Sequence, residues 1–173
     1  AATDIGIAFL NAFNLGWDGI NSGTTGDITI TADTMSFAAS THVKTTGTLA
    51  VEPQGNSFLT SLSYPISNFS VGSTLTGLRL GKSTNTANIT IGSATSIAGP
   101  ISVYGGAIAV NANFNITEGD VAGDILLKSA GDVTVDASAS ITTSGGDIIL
   151  WANSQNITTG AGSSRIILKG SSS

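Results

Sequence analysis

Four aspartates stand directly after a glycine and directly before a run of β-prone apolar residues: Asp27, Asp124, Asp132 and Asp147, as in Gly26-Asp27-Ile28-Thr29-Ile30 and Gly146-Asp147-Ile148-Ile149-Leu150. Carboxylates at one place in a repeat form a column when the repeats stack, and an oxygen-rich column can take Ca²⁺. Calcium-binding β-repeats need a short Gly-Gly-x-Gly-x-Asp period. Here Gly-Gly occurs only at Gly105-Gly106 and Gly145-Gly146, without that continuation. The pattern therefore favours corner residues of a structural repeat over a metal site.

Other chemistry lacks parts. His42 is the only histidine and cysteine is absent, which removes zinc sites, thiolate chemistry, disulfides and histidine-based triads. Glu118 and Asp120 flank Gly119 in what reads as a corner loop. Paired carboxylates serve glycoside hydrolysis, but no acid, base and positioning group can be nominated together, so no catalytic residue, cofactor or metal is assigned. The net charge is −5 and the six basic residues are scattered, which disfavours nucleic acid as a partner. Asp33-Thr34-Met35 resembles a short bacterial O-glycosylation acceptor, and the Asn-x-Ser/Thr sequons at Asn68, Asn88, Asn115 and Asn156 matter only in a eukaryotic secretory route.

The elements that position these residues are short strands. The phrase of Gly26 to Ile30 recurs as Gly123-Asp124-Ile125-Leu126-Leu127 and Gly131-Asp132-Val133-Thr134-Val135. Looser copies include Gly106-Ala107-Ile108-Ala109-Val110 and Ser164-Arg165-Ile166-Ile167-Leu168. Glycine is expected to supply a turn conformation, and the apolar residues at i and i+2 share one side of an extended chain. One such strand cannot bury its apolar side, whereas a stack with a period of roughly 20 to 24 residues can. No run of about 18 apolar residues offers a membrane-spanning helix.

Coils are predicted to open at Gly26, Gly47, Gly77, Gly99, Gly123 and Gly146, with an incomplete one from Ser164. Ahead of them, residues 4 to 17 alternate and predict two strands with a bend near Asn11. The expected architecture is all-β: a right-handed parallel β-helix of about seven coils, one domain over 1–173, with an aromatic loop inserted at about 53–76. The chain reads as a piece of a longer repetitive protein whose targeting signal has been removed or lies outside it.

Two surfaces stand out. If Ile28, Ile125, Ile148 and Ile166 point inward, Thr29, Leu126, Ile149 and Ile167 point outward, which is no threonine rank of the ice-binding kind. Leu126, Ile149 and Ile167, with Trp151 beside them, would instead form an apolar association ladder on three successive coils. The inserted segment carries Phe58, Tyr64 and Phe69, which either present rings to a sugar or protein or, as is commoner for large rings, fold back onto the core.

The segments Thr48-Leu49-Ala50-Val51-Glu52-Pro53-Gln54-Gly55, Leu78 to Gly92 and Ile97 to Gly106 resemble, with the Gly-Asp-Ile phrases, the repeat regions of very large secreted bacterial surface proteins of the filamentous-haemagglutinin-like, β-strand-repeat kind. The resemblance covers nearly the whole chain. It implies a β-helical stalk or filament segment of an extracellular adhesin, non-enzymatic, at the bacterial cell surface. The partners are expected to be other copies or segments of the same protein, with host or prey cell-surface glycans as further candidates. A carbohydrate-binding or carbohydrate-cleaving parallel β-helix is the alternative.

Overall fold

Apolar residues alternating over three to five positions give each strand one side to bury, and strands this short bury it only by stacking on like strands. The computed structural model describes residues 5–8, 13–15, 20–21, 26–37, 41–71, 75–117, 123–154 and 164–170. The chain begins with β1 (Ile5–Ala8), β2 (Phe13–Leu15) and β3 (Ile20–Asn21), and continues with β4 (Ile28–Thr31), β5 (Met35–Phe37) and β6 (Thr41–Lys44). Next come β7 (Thr48–Glu52), β8 (Leu62–Tyr64) and β9 (Phe69–Val71), then β10 (Gly77–Leu80), β11 (Ile89–Ile91) and β12 (Thr95–Ile97). The C-terminal part holds β13 (Ile101–Gly105), β14 (Ile108–Val110), β15 (Phe114–Ile116), β16 (Ile125–Ser129), β17 (Val133–Val135), β18 (Ile141–Thr142), β19 (Ile148–Trp151) and β20 (Ile166–Leu168). Among the described residues there is no helix.

Every pairing joins strands three places apart along the chain, always in parallel, which makes a parallel β-helix with three faces. The first face is one continuous sheet, β1-β4-β7-β10-β13-β16-β19. The second face consists of β2-β5 and β8-β11-β14-β17-β20, and the third of β3-β6-β9 and β12-β15-β18. Inward residues stack in rows: Ile28, Leu49, Leu78, Ile101 and Ile125 on the first face, and Ile89, Ile108 and Val133 on the second. All are buried in one core. The two strands expected over residues 4 to 17 are β1 and β2; Asn11, where the bend is expected, lies outside the described residues, as do Glu118, Asp120 and Asn156.

Two expectations change. Ser164-Arg165-Ile166-Ile167-Leu168 does not open another coil: β20 pairs with β17, so it is the second-face strand of the coil that Gly146 opens. Gly131 to Val135, as expected, continues the coil opened at Gly123, because β17 stacks on β14. The same five-residue phrase is used at two corners, so spacing along the chain does not by itself say which face a copy belongs to.

The glycines before the first-face strands are also there for a different reason than expected. Gly47, Gly99, Gly123 and Gly146 do not have positive φ. Coils approach so closely at this corner that a Cβ on Gly47 would lie 2.6 Å from the Gly26 carbonyl oxygen, and one on Gly146 would lie 2.1 Å from that of Gly123. The obstacle is backbone, which cannot swing aside as a side chain can. Gly146→Ala is therefore expected to lower stability by about 1–3 kcal/mol in urea unfolding. Gly170→Ala, where nothing lies within 4 Å of the added Cβ, is expected to leave it unchanged.

Candidate functional site

The aspartates join coils. Asp147 donates its backbone N–H to Asp124 Oδ1 (2.8 Å), while Ile125 N–H donates to the Asp147 carbonyl (2.9 Å), so the corner closes as a reciprocal pair between consecutive coils. Thr48 N–H donates to Asp27 Oδ1 (2.6 Å) at the same corner. At the second-face corner, Arg165 N–H meets Asp132 Oδ1 (2.7 Å) and Val133 N–H meets the Arg165 carbonyl. Two coil boundaries lower, Ala107 N–H meets Asn88 Oδ1 (2.9 Å) and Ile89 N–H meets the Ala107 carbonyl. The third-face corner repeats the pattern with Ser140 N–H on Asn113 Oδ1 (3.1 Å) and Phe114 N–H on the Ser140 carbonyl. Asp27, Asp124 and Asp147 thus share one corner column and Asp132 stands in another. Among the described residues no group of three or more His, Asp or Glu side chains gathers to hold a metal ion.

Buried hydroxyls reinforce the corners. Thr45 Oγ1 donates to the Gly26 carbonyl and accepts from Gly47 N–H. Ser129 Oγ lies against the Gly106 carbonyl (2.5 Å) and the Asp132 carbonyl, and accepts from Gly131 N–H. These residues sit two positions before the glycine, a signal present in the sequence but hidden by the abundance of serine and threonine.

The inserted segment is not one loop. It contains β8 and β9, and the extra chain is concentrated in 53–61, between β7 and β8. The next coil has a similar corner loop at 81–88, and the two loops stack. Asn85, 1% exposed, pins them: its Oδ1 accepts from Ser57 Oγ, Phe58 N–H and Ala87 N–H, and its Nδ2 donates to the Ala87 and Tyr104 carbonyls.

Among the described residues no ladder joins β5 to β8 or β9 to β12, and each interruption holds a cleft. The larger, about 290 Å³, lies between β9 and β12, lined by Tyr64, Pro65, Phe69, Leu75 and Ile97 with Ser70, Thr95 and Ser96. The smaller, about 190 Å³, lies between β5 and β8 and includes Asp33, Thr34 and Phe58. Phe58, Tyr64 and Phe69 themselves are buried, and Phe69 packs on Phe37 with ring centroids 4.6 Å apart. They are core rings whose packing fills the interrupted faces, not a displayed platform.

Of the expected association ladder, Leu126 and Ile149 pair in register on the outer side of the first face, and Trp151 pairs with Lys128, whose Nζ lies 4.4 Å from the ring centroid. Ile167 is not part of it: it lies on the second face, paired with Thr134. His42 pairs with Ser70 on the third face. Comparison with protein-family models, with curated proteins and with solved structures finds no match.

Two measurements test this description. Asp124→Ala removes an inter-coil acceptor and is expected to cost about 1 kcal/mol in urea unfolding, whereas Asp124→Asn, which keeps an acceptor oxygen, is expected to lose less. Burial pushes the Tyr64 hydroxyl from 10.0 up to about 12. Above pH 10 the unfolded chain ionises Tyr64 while the folded chain still holds the proton. The associated stability, on the order of 2 kcal/mol, is therefore expected to drain away between pH 10 and about 12. Tyr64→Phe is expected to lack that part of the decline in denaturant unfolding measured across this window.

Proposed function

We propose that the chain is a structural segment, a stalk or filament element, of a secreted bacterial surface adhesin, acting in adhesion or extracellular assembly without catalysis or cofactor. The observation that carries this reading is the reciprocal corner pair, found at all three corners and, at each boundary where it occurs, linking a coil to the next in the same sense. A chain built this way is a one-dimensional element: tension along its axis is shared among the parallel ladders, two or three at each coil boundary, and the corner bonds between them. The ladders do this without disulfides, which suits a cysteine-free chain working outside the cell. The resemblance to filamentous-haemagglutinin-like repeats supports the same placement, with copies or segments of the same protein and cell-surface glycans as partners.

A carbohydrate-binding or carbohydrate-cleaving β-helix is the second reading, favoured by the cleft between β9 and β12, where hydroxyls of Ser70, Thr95 and Ser96 border apolar walls. Antibody labelling of intact bacteria that make the protein is expected to stain their surface, and labelling only after permeabilisation would overturn the structural-adhesin reading. A glycan array separates the two readings. Retained glycan binding that Ser96→Trp abolishes by filling the cleft would favour the second, and no cleft-dependent binding or release of sugar is expected on the first.

A further inference from the structure

Asp33-Thr34-Met35 is the one place in the chain where a serine or threonine directly follows an aspartate, and it resembles a short bacterial O-glycosylation acceptor in which the aspartate precedes the hydroxyl residue. The triplet falls at the corner between β4 and β5. Thr34 lies in the turn itself, half-buried and outside every strand, which leaves it within reach of a modifying enzyme. Asp33 joins this corner to the 53–61 loop of the next coil: its carbonyl accepts from Leu59 N–H (2.9 Å) and its Oδ1 from Gly55 N–H (2.7 Å). Past that junction the two coils part. β5 and β8 form no ladder, and Thr34 borders the cleft of about 190 Å³ between them. Exposed Thr60, Ser61, Ser63 and Ser67 line the cleft together with the buried ring of Phe58. Hydroxyls that both donate and accept, set beside an apolar wall, match the hydroxyls and the C–H face of a sugar ring.

We propose that Thr34 is an O-glycosylation site and that the cleft between β5 and β8 seats the first sugar of the attached glycan. The inference rests on the structural reading above, because the chain must meet a bacterial transferase on its way out of the cell. The step is a glycosyl transfer from a sugar carried on a lipid diphosphate. Thr34 Oγ1 attacks the anomeric carbon, the bond from that carbon to the phosphate oxygen breaks, and the diphosphate leaves with the bonding electrons. The hydroxyl proton passes to a base of the transferase, and nothing is oxidised or reduced. Asp33 holds the corner against the loop, so the attached sugar meets a cleft whose two sides are already fixed. Hydroxyls on the far side belong to the next coil, at a boundary where the second-face ladder is missing. The seated sugar therefore bridges two coils that the backbone leaves unjoined there, and the modified chain gains inter-coil hydrogen bonds that the bare chain lacks.

The protein purified from the bacteria that make it is expected to exceed the mass of its sequence by one or more saccharides, and electron-transfer fragmentation is expected to place the addition on Thr34. Thr34→Ala is expected to return the mass of this site to that of the bare chain, and Thr34→Ser, which keeps the hydroxyl, to retain the addition. Asp33→Asn separates the two duties of Asp33. It keeps an oxygen for Gly55 N–H and removes the carboxylate of the acceptor, so the fold is expected to persist and most of the addition to be lost. Made in cells without such a transferase, the unsubstituted chain is expected to unfold at lower urea than the modified one. An addition at Thr34 that leaves the urea midpoint unchanged would overturn the seat in the cleft. A bare Thr34 in the protein from its own bacteria would overturn the site altogether. Surface-labelled bacteria carrying a bare chain would sink this inference and leave the adhesin reading standing, whereas a chain glycosylated at Thr34 but labelled only after permeabilisation would do the reverse.

Discussion

Everything in this fold depends on coils approaching closely enough at the corners for a side chain of one to accept the backbone N–H of the next. Where a strand ends, the ladder would otherwise stop and leave amides of the turn to solvent; at these exposed corners each bond contributes on the order of 1 kcal/mol. Asp27, Asn88, Asn113, Asp124 and Asp132 carry the hydrogen bonding through the turn. Asp and Asn suit this position because their short side chains place an oxygen within reach of a backbone one strand spacing away.

The same closeness dictates composition. Carbonyls of one coil sit where a Cβ of the next would be, so the first-face corner is occupied by Gly26, Gly47, Gly99, Gly123 and Gly146, with Thr76 the one larger residue among the described residues of the column. Buried hydroxyls at Thr45 and Ser129 satisfy the carbonyls that the glycines expose. Charged residues contribute at the rims, where Glu52 meets Arg79 at 3.1 Å and Asp136 meets Lys169 at 3.1 Å across coil boundaries. These are partly exposed pairs of modest worth. Where two corner loops lengthen, at 53–61 and 81–88, the close approach is replaced by a different device: a single buried asparagine that saturates its amide on both loops.

Much of this was legible in the residues. The i, i+2 apolar pairs around Ile28, Ile125 and Ile148 identified strands and their inward side, and glycine-led phrases marked corners. What periodicity could not settle was the face to which a phrase belongs. Ser164 to Leu168 has the form of a coil opening and serves as a second-face strand, because both corners face the same packing problem and solve it with the same residues. Ile167 left the expected ladder for that reason. The burial of Phe58, Tyr64 and Phe69 was open in the sequence, since an aromatic insertion has no period from which to read direction. Asn85 gave no signal at all: its role depends on two loops distant in sequence meeting at one amide.

The corner bond also has a sense of direction. At each one the acceptor side chain belongs to the earlier coil and the donating amide to the later coil, so a finished coil already displays the side-chain acceptor that its successor needs. A chain with this arithmetic can be laid down in the order in which it emerges, each turn templated by the last, as thread winds onto a spool.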